Sequence, residues 1–242
     1  MNRARGALPG APGQQDAAAW VRATFSRVAP RYDLLNHLLS CNQDRRWRAR
    51  TVRRLSGILR RPDVRVLDLC CGTGDLLLEL EAAGGRGVLG CDFSGAMLQQ
   101  ARRKHSRALL VEADALRLPL ADQCLDLITM AFGFRNLADY RAGLAETCRV
   151  LRPGGTLAIL EFSRPPHRLW AALYGFYSRR LLPLIGGLVS GDRSAYRYLP
   201  ASVSRFPSPE ELAAEMRAAG FAGVSFELMA GGIVALHTGQ AR

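Results

Sequence analysis

The sequence predicts an α/β fold: a seven-stranded, mostly parallel sheet with helices on both faces. It forms one domain over residues 16–242, behind a disordered basic tail at 1–15. Three observations predict it. Short β-rich apolar runs alternate with helical periodicity through the middle of the chain. The first apolar run ends in a glycine turn, Gly72-Thr73-Gly74, and a helical pattern opens directly behind it. The 242 residues are 48% hydrophobic, enough for one large core.

In chain order, residues 17–40 read as helical with a break near Pro30. Asp44 is expected to cap a second helix reaching about Arg60. That helix carries Arg45, Arg46, Arg48, Arg50, Arg53 and Arg54, either a solvated face or a contact for phosphates and anionic lipid heads. Strands are expected at 64–70, 86–91, 107–112, 124–131 and 155–162, with helices near 74–83, 94–104 and 138–150. Residues 152–155, Arg-Pro-Gly-Gly, read as a tight turn feeding the fifth strand. Between 164 and 207 an aromatic, basic stretch broken by prolines and glycines reads as an insertion of short helices. Ser208 and Pro209 start another helix, and 221–229 and 231–238 close the sheet as two strands joined by a glycine turn.

Carboxylates stand where the strands should end. Asp68 lies inside the end of the first strand, where an acid suits a cationic ligand group better than a phosphate. The third glycine of the dinucleotide fingerprint is replaced by Leu77, so no pyrophosphate cradle is indicated. Asp92, about twenty residues after Gly72, can accept two hydrogen bonds from ribose hydroxyls. Asp114, followed by Ala115, ends the third strand; its carboxylate can accept from an adenine amino group while a neighbouring backbone N–H reaches a ring nitrogen. The ordered set Asp68, Asp92, Asp114 around Gly72 and Gly74 describes S-adenosyl-L-methionine. An NAD-type site or a purely structural turn is the competing reading. No metal site is expected, since the six cysteines form no C-x-x-C pair; reduced thiols in a cytoplasmic protein are the expectation.

The formal charge of +12 favours an anionic partner, nucleic acid or an acidic membrane surface. The basic residues are nearly all arginine, Lys104 being the one lysine; guanidinium chemistry is one explanation of the bias, and codon usage in a GC-rich genome is the simpler and preferred one. No RNA-binding motif or module appears, and no Asn/Asp-Pro-Pro-Tyr signature of amino-nitrogen methylation follows the fourth strand. No stretch reaches the ~18 apolar residues of a spanning helix.

Beyond the glycine turn, the sequence closely resembles the C-methyltransferases of menaquinone and ubiquinone biosynthesis, from about Val21 to Gly239. The resemblance rests on Tyr32-Asp-Leu-Leu-Asn-His37, Trp47, Asp68-Leu-Cys-Cys-Gly-Thr-Gly-Asp75, Phe132-Gly-Phe-Arg-Asn136 and residues 152–155. It rests also on Glu161-Phe-Ser, Tyr196-Arg-Tyr-Leu-Pro200 with Ser202, Phe206-Pro207 and Gly231-Gly-Ile-Val-Ala-Leu-His237. It implies a Rossmann-like class I methyltransferase that moves a methyl group from S-adenosylmethionine to a ring carbon of a polyprenyl quinol. Cofactor contacts carry over to Thr73, Asp92, Asp114 and Ala115; a serine that contacts the cofactor in some relatives is Ala131 here.

The acceptor implied is a demethylmenaquinol, with a ubiquinone-pathway benzoquinol as the alternative and an RNA substrate as a further one. A catalytically dead scaffold is disfavoured by the intact loop and Arg135-Asn136. Carbon methylation requires phenolate stabilisation and exclusion of water. Arg135 is the candidate for the first, with Asn136 as a neutral hydrogen-bonding partner; pairing of Arg135 with a buried acid is the structural alternative. Tyr32, Asp33, His37, Asp192 and Tyr196 are candidates to supply or assist a general base. His237 is expected to be structural. The insertion, with its apolar face and Arg164, Arg168, Arg179 and Arg180, is expected to cover a greasy substrate and to touch an anionic membrane at the cytoplasmic side. No nucleic-acid partner is expected, and a homodimer is left open.

Overall fold

A computed structural model describes residues 14–104, 108–181 and 200–242. Its sheet has seven strands: β1 (Val66–Leu69), β2 (Leu89–Asp92), β3 (Leu109–Glu112), β4 (Leu125–Ala131), β5 (Leu151–Phe162), β6 (Phe221–Met229) and β7 (Val234–Ala241). Their order is β3-β2-β1-β4-β5-β7-β6. The first five pair in parallel, while β7 runs antiparallel to both β5 and β6. The helices are α1 (Gln14–Val28), α2 (Tyr32–Leu39), α3 (Gln43–Leu59), α4 (Asp75–Ala82), α5 (Gly95–Arg103), α6 (Tyr140–Val150), α7 (Arg168–Phe176) and α8 (Pro209–Ala218).

Strand alternation builds two cores, one on each face of the sheet. Val66, Leu127, Ala158, Leu160 and Leu236 face α3 and α4, meeting Leu55, Leu59, Leu77 and Leu80. Their strand neighbours Leu67, Ile128, Leu157 and Ile159 face the other way, onto Leu144 of α6 and Leu212 and Met216 of α8. β4 is buried along almost its whole length, as expected of a central parallel strand, whereas edge strand β3 leaves Leu109 exposed.

Several expectations are corrected. Asp44 lies inside α3; Asn42, in the left-handed region at φ 58°, precedes the helix, and Asp44 bonds to side chains instead. β5 starts at Leu151, so residues 152–155 belong to the strand; β4 pairs Leu125 with Leu151 but Leu127 with Thr156, and the four residues bulge out of register. Ser208 caps α8 with a full capping box closed by Glu211. All six cysteines are free thiols.

The chain leaves β1 toward β2 and β3, then returns to place β4 on β1's other side. That reversal opens a crevice at the carboxyl ends of β1 and β4, where open α/β sheets hold ligands. Phe25 of α1 and Tyr32 of α2 close over the crevice.

Candidate active site

The crevice begins with strained backbone. Cys70 (φ 56°), Gly72 (φ 55°) and Gly74 (φ 84°) all take left-handed dihedrals between β1 and α4. At Gly72 a side chain would meet nothing, because that position opens onto the crevice. Leu77, standing where a third glycine is expected in a dinucleotide site, is fully buried against Gly90 of β2: a Cβ on Gly90 would lie 2.4 Å from Leu77 Cδ1. Close helix–strand approach is thus obtained by a glycine on the strand rather than on the helix.

The crevice is lined by Cys70, Gly72, Asp92, Phe93, Met97, Asp114, Ala115, Ala131 and Asn136 among others. Asp92 is fixed by two backbone amides, Gly72 N–H donating to Oδ2 and Ser94 N–H to Oδ1, both at 2.9 Å. Each oxygen keeps a lone pair for a ligand hydroxyl. Burial pushes its pKa up to about 6, against the hydrogen bonds from Ser94 and Gly72. Asp114 accepts from Leu116 N–H at 2.9 Å and stays solvent-facing.

Asp68 sits behind this wall rather than in it. It is 1% exposed; Thr129 donates to Oδ1 at 2.8 Å, and Oδ2 has no hydrogen-bond partner. Desolvation raises its pKa to about 7, and the Asp92 charge adds to the shift. An orphaned buried carboxylate oxygen beneath a glycine turn suits a ligand cation, and Asp92 and Asp114 suit ribose and adenine. These residues fit S-adenosylmethionine.

Thr73 and Asp33 do not line the crevice, contrary to expectation. Thr73 Oγ1 donates to Asp33 Oδ1 at 2.5 Å and accepts from Lys104 Nζ at 3.1 Å. Their side chains join the α2 cover to the glycine turn. His37 is likewise engaged, its Nδ1 2.7 Å from Asp44 Oδ2, and it lines neither cavity. Arg48, expected either on a solvated face or against phosphates or lipid heads, is instead buried among Asp44 (2.6 Å), Asp75 (3.0 Å) and Glu79 (3.6 Å). Arg50 and Arg54 pair with Glu227. Burial would raise Asp44, but the Ser40 hydroxyl, Arg48 and His37 together hold it below the usual carboxylate range.

A second cavity of about 490 Å³ adjoins the first. Phe25, Tyr32 and Phe132 line both. Its wall is largely apolar and aromatic, with Trp47, Phe162, Trp170, Leu173, Tyr174, Tyr177 and Ile233. Tyr177 of the turn after α7 donates to Leu39 O of α2 at 2.7 Å, and Trp170 Nε1 donates to Ala230 O at 3.2 Å, so α2, α7 and the β6–β7 turn are laced together over the cavity.

Arg135 reaches this cavity from the 3-10 turn after β4. Its charge is met by Glu161 of β5, Nη1 to Oε1 at 2.8 Å, so the buried-acid alternative holds. Nη1 also donates to Phe132 O and Nε to Ser202 Oγ at 3.3 Å, and the guanidinium lies 5.3 Å from the centre of the Phe162 ring. Pairing with Glu161 leaves Arg135 at the wall of this second cavity. Asn136 lines the cofactor side, donating to Phe132 O at 3.4 Å. Burial raises the pKa of Tyr32, and raises that of Tyr174 to about 12, with Arg135 opposing both, so the two phenols stay protonated. Asp192 and Tyr196 lie outside the described residues, as does residue 199 of the family motif. Arg164, exposed, donates to Ser204 O and Phe206 O. His237 is buried in β7 with Nε2 3.0 Å from Pro209 O, a structural position.

Two members of the site were missed in the sequence. Glu161 was quoted only within a motif; a lone acid in a buried strand calls for a buried cation, which is a usable signal. Tyr174 carried no such signal, because it reads as one more aromatic of a helical stripe.

The Ubie_methyltran model, described as the ubiE/COQ5 methyltransferase family, matches residues 13–241. A demethylmenaquinone methyltransferase of Thermus thermophilus is 53% identical over 89% of this chain and 99% of its own length. Another, from Deinococcus radiodurans, is 46% identical over 95% of both. Among solved structures, a SAM-dependent methyltransferase of Thermotoga maritima matches at TM-score 0.64 and 20% identity over 91% of this chain and 99% of its own. The [4+2]-cyclase SpnF matches at 0.67 and 19% over 95% of this chain and 97% of its own, so the fold likeness alone does not fix the reaction. With a family model spanning nearly the whole sequence and relatives this similar, the chain belongs to the ubiE/COQ5 methyltransferase family.

Proposed function

We propose that the chain transfers the methyl group of S-adenosylmethionine to a ring carbon of a polyprenyl naphthoquinol, methylating a demethylmenaquinol in menaquinone biosynthesis. The observation that carries this reading is the junction of an acid-lined crevice with a larger apolar cavity, divided by Tyr32 and Phe132. The relatives' names point to the same acceptor.

When bound, the cofactor supplies an electrophilic methyl group. Asp92 and Asp114 would hold its ribose and adenine, and the charge of Asp68, behind the crevice wall, would favour its cationic end. The ring's carbon becomes nucleophilic once its phenol has passed its proton to solvent, and Arg135 is at hand to stabilise the resulting phenolate oxygen. Glu161 orients the guanidinium and Phe162 shields it. Tyr32 and Tyr174, kept protonated, can donate hydrogen bonds to quinol oxygens. The aromatic wall excludes water, which suits a transfer in which the sulfonium charge disappears.

The cover also supports contact with an anionic membrane, where such a quinol resides. Leu34 and Leu38 of α2 and Leu169, Leu173 and Phe176 of α7 are exposed, and Arg168 and Arg180 lie beside them. No helix among the described residues is long and apolar enough to cross a membrane. Quinones extracted from a deletion strain test the reaction and acceptor together: demethylmenaquinone should accumulate and disappear on complementation. Normal quinones refute the reading, and an unmethylated benzoquinone precursor moves it to the ubiquinone pathway.

A further inference from the structure

Lys104 is the single lysine in a chain with 33 basic residues. Lys104 follows α5, and its Nζ lies 2.6 Å from Asp33 Oδ2, 2.5 Å from Asp75 Oδ1 and 3.1 Å from Thr73 Oγ1. Those acceptors belong to three separate pieces: the α2 cover, the first turn of α4 and the glycine turn itself. An ammonium offers three tetrahedral donors from one point, which matches three acceptors converging from different directions. A planar guanidinium offers a flat fork suited to one carboxylate at a time.

The junction extends further. Thr73 donates to the other oxygen of Asp33, and Asp75 Oδ2 takes Arg48, which reaches Asp44. Asp33 is the neighbour of Tyr32, which lines both cavities. Anything that fixes Asp33 therefore fixes how Tyr32 and α2 close over the crevice.

We propose that Lys104 is a positioning residue for cofactor binding, its ammonium clamping α2 onto the glycine turn so that affinity depends on a lysine there and not merely on a positive charge. This rests on the reading that the crevice holds S-adenosylmethionine. The clamp contacts no reacting atom; it acts by holding Thr73 and Asp75 in the turn and Tyr32 over it.

The full chain supplies its own probe, because amine acylation can reach only Lys104 and the terminal amine. Saturating S-adenosylhomocysteine should slow acetylation of Lys104, followed by mass spectrometry, at least fivefold relative to the ligand-free protein. In calorimetric titration, Lys104→Arg and Lys104→Met should each raise the Kd for S-adenosylhomocysteine tenfold or more, with the Tm of Lys104→Arg close to the parent's. Asp33→Asn, which keeps the fold's shape but weakens the clamp, should raise Kd in the same direction. Binding by Lys104→Arg within twofold of the parent, or acetylation indifferent to the ligand, overturns the proposal while leaving the cofactor reading intact. Parent protein that does not bind S-adenosylhomocysteine overturns both.

Discussion

The cofactor crevice and the acceptor cavity share Tyr32 and Phe132 yet are made by opposite means. The crevice is a product of backbone: three left-handed residues turn the chain, and two amides fix Asp92. The cavity is a product of packing: aromatic side chains from α3, α7 and the strand ends line it together with Arg135, whose charge Glu161 meets. A turn is specified by a few adjacent residues, whereas a cavity requires distant helices to arrive together. Substitutions should therefore separate cofactor binding from turnover cleanly, and each failure to do so would show where the two regions are coupled.

The largest separation is expected at Arg135. Arg135→Met should lower turnover about a thousandfold, the upper range for loss of one preorganised charge-stabilising donor, with S-adenosylhomocysteine affinity within twofold of the parent. It also strands Glu161, and breaking a buried pair costs about 3–5 kcal/mol. The double variant Arg135→Met, Glu161→Met removes that stranded charge and should recover thermal stability but not turnover. Recovery of turnover in the double variant would reduce Arg135 to a packing role.

The opposite separation is expected at Asp92. Asparagine can accept one of the two backbone amides but turns an NH₂ toward the other. Loss of charge-assisted bonds at about 1.5–3 kcal/mol each predicts that Asp92→Asn weakens S-adenosylhomocysteine binding about a hundredfold. Turnover at saturating cofactor should fall far less. Equal loss in both would mean that the crevice and the cavity act as one unit.

A smaller effect follows from pH. Burial raises Asp68 to about 7 and Asp92 to about 6, above the ~3.9 of an unfolded aspartate. Between those limits the native state holds protons that the unfolded chain has released, so the contribution of these two groups to stability declines as pH rises from about 4 to about 7. A ligand cation above Asp68 and hydroxyls on Asp92 favour the ionised forms. Cofactor binding should therefore release protons and tighten between about pH 5 and 8, as calorimetry in buffers of different ionisation enthalpy would show. Asp68→Asn should be more stable than the parent at pH 8, by on the order of 2 kcal/mol, while binding cofactor about tenfold more weakly. A variant no more stable at pH 8 would show that Asp68 is not strained by its burial.

The same contrast explains what was legible in the sequence. Alternating runs gave the strands and helices because period and burial are local properties, and Asp92 and Asp114 could be placed because strand ends follow from the runs. Residues 152–155 misled because a Pro-Gly-Gly turn signal and a bulge look alike until β4 supplies the register. Thr73 was taken from the family resemblance and Asp33 from the segment expected to cover the crevice, and neither source says which way a side chain is drawn. It took Lys104, from α5, to draw them aside. Glu161, an acid in a buried strand, signalled a buried cation, but that the cation is Arg135 depends on β5 lying beside the turn after β4, which no spacing rule encodes.

The smallest effect concerns the outer surface of the cavity's cover. Leu169 is 79% exposed and Phe176 58% exposed on α7, and neither lines a cavity. Burying part of each at a lipid interface would contribute about 1 kcal/mol apiece. Leu169→Ser with Phe176→Ser should thus weaken partition onto anionic vesicles by about tenfold or somewhat more, read by sedimentation at low salt. Turnover of a short-chain, water-soluble acceptor should be unchanged, because the inner wall is untouched, while turnover of a long-chain acceptor in vesicles should drop with partition. If the long-chain rate holds while partition falls, the quinol reaches the cavity without the membrane contact. The exposed face of α7 would then belong to packing within the insertion rather than to the lipid surface.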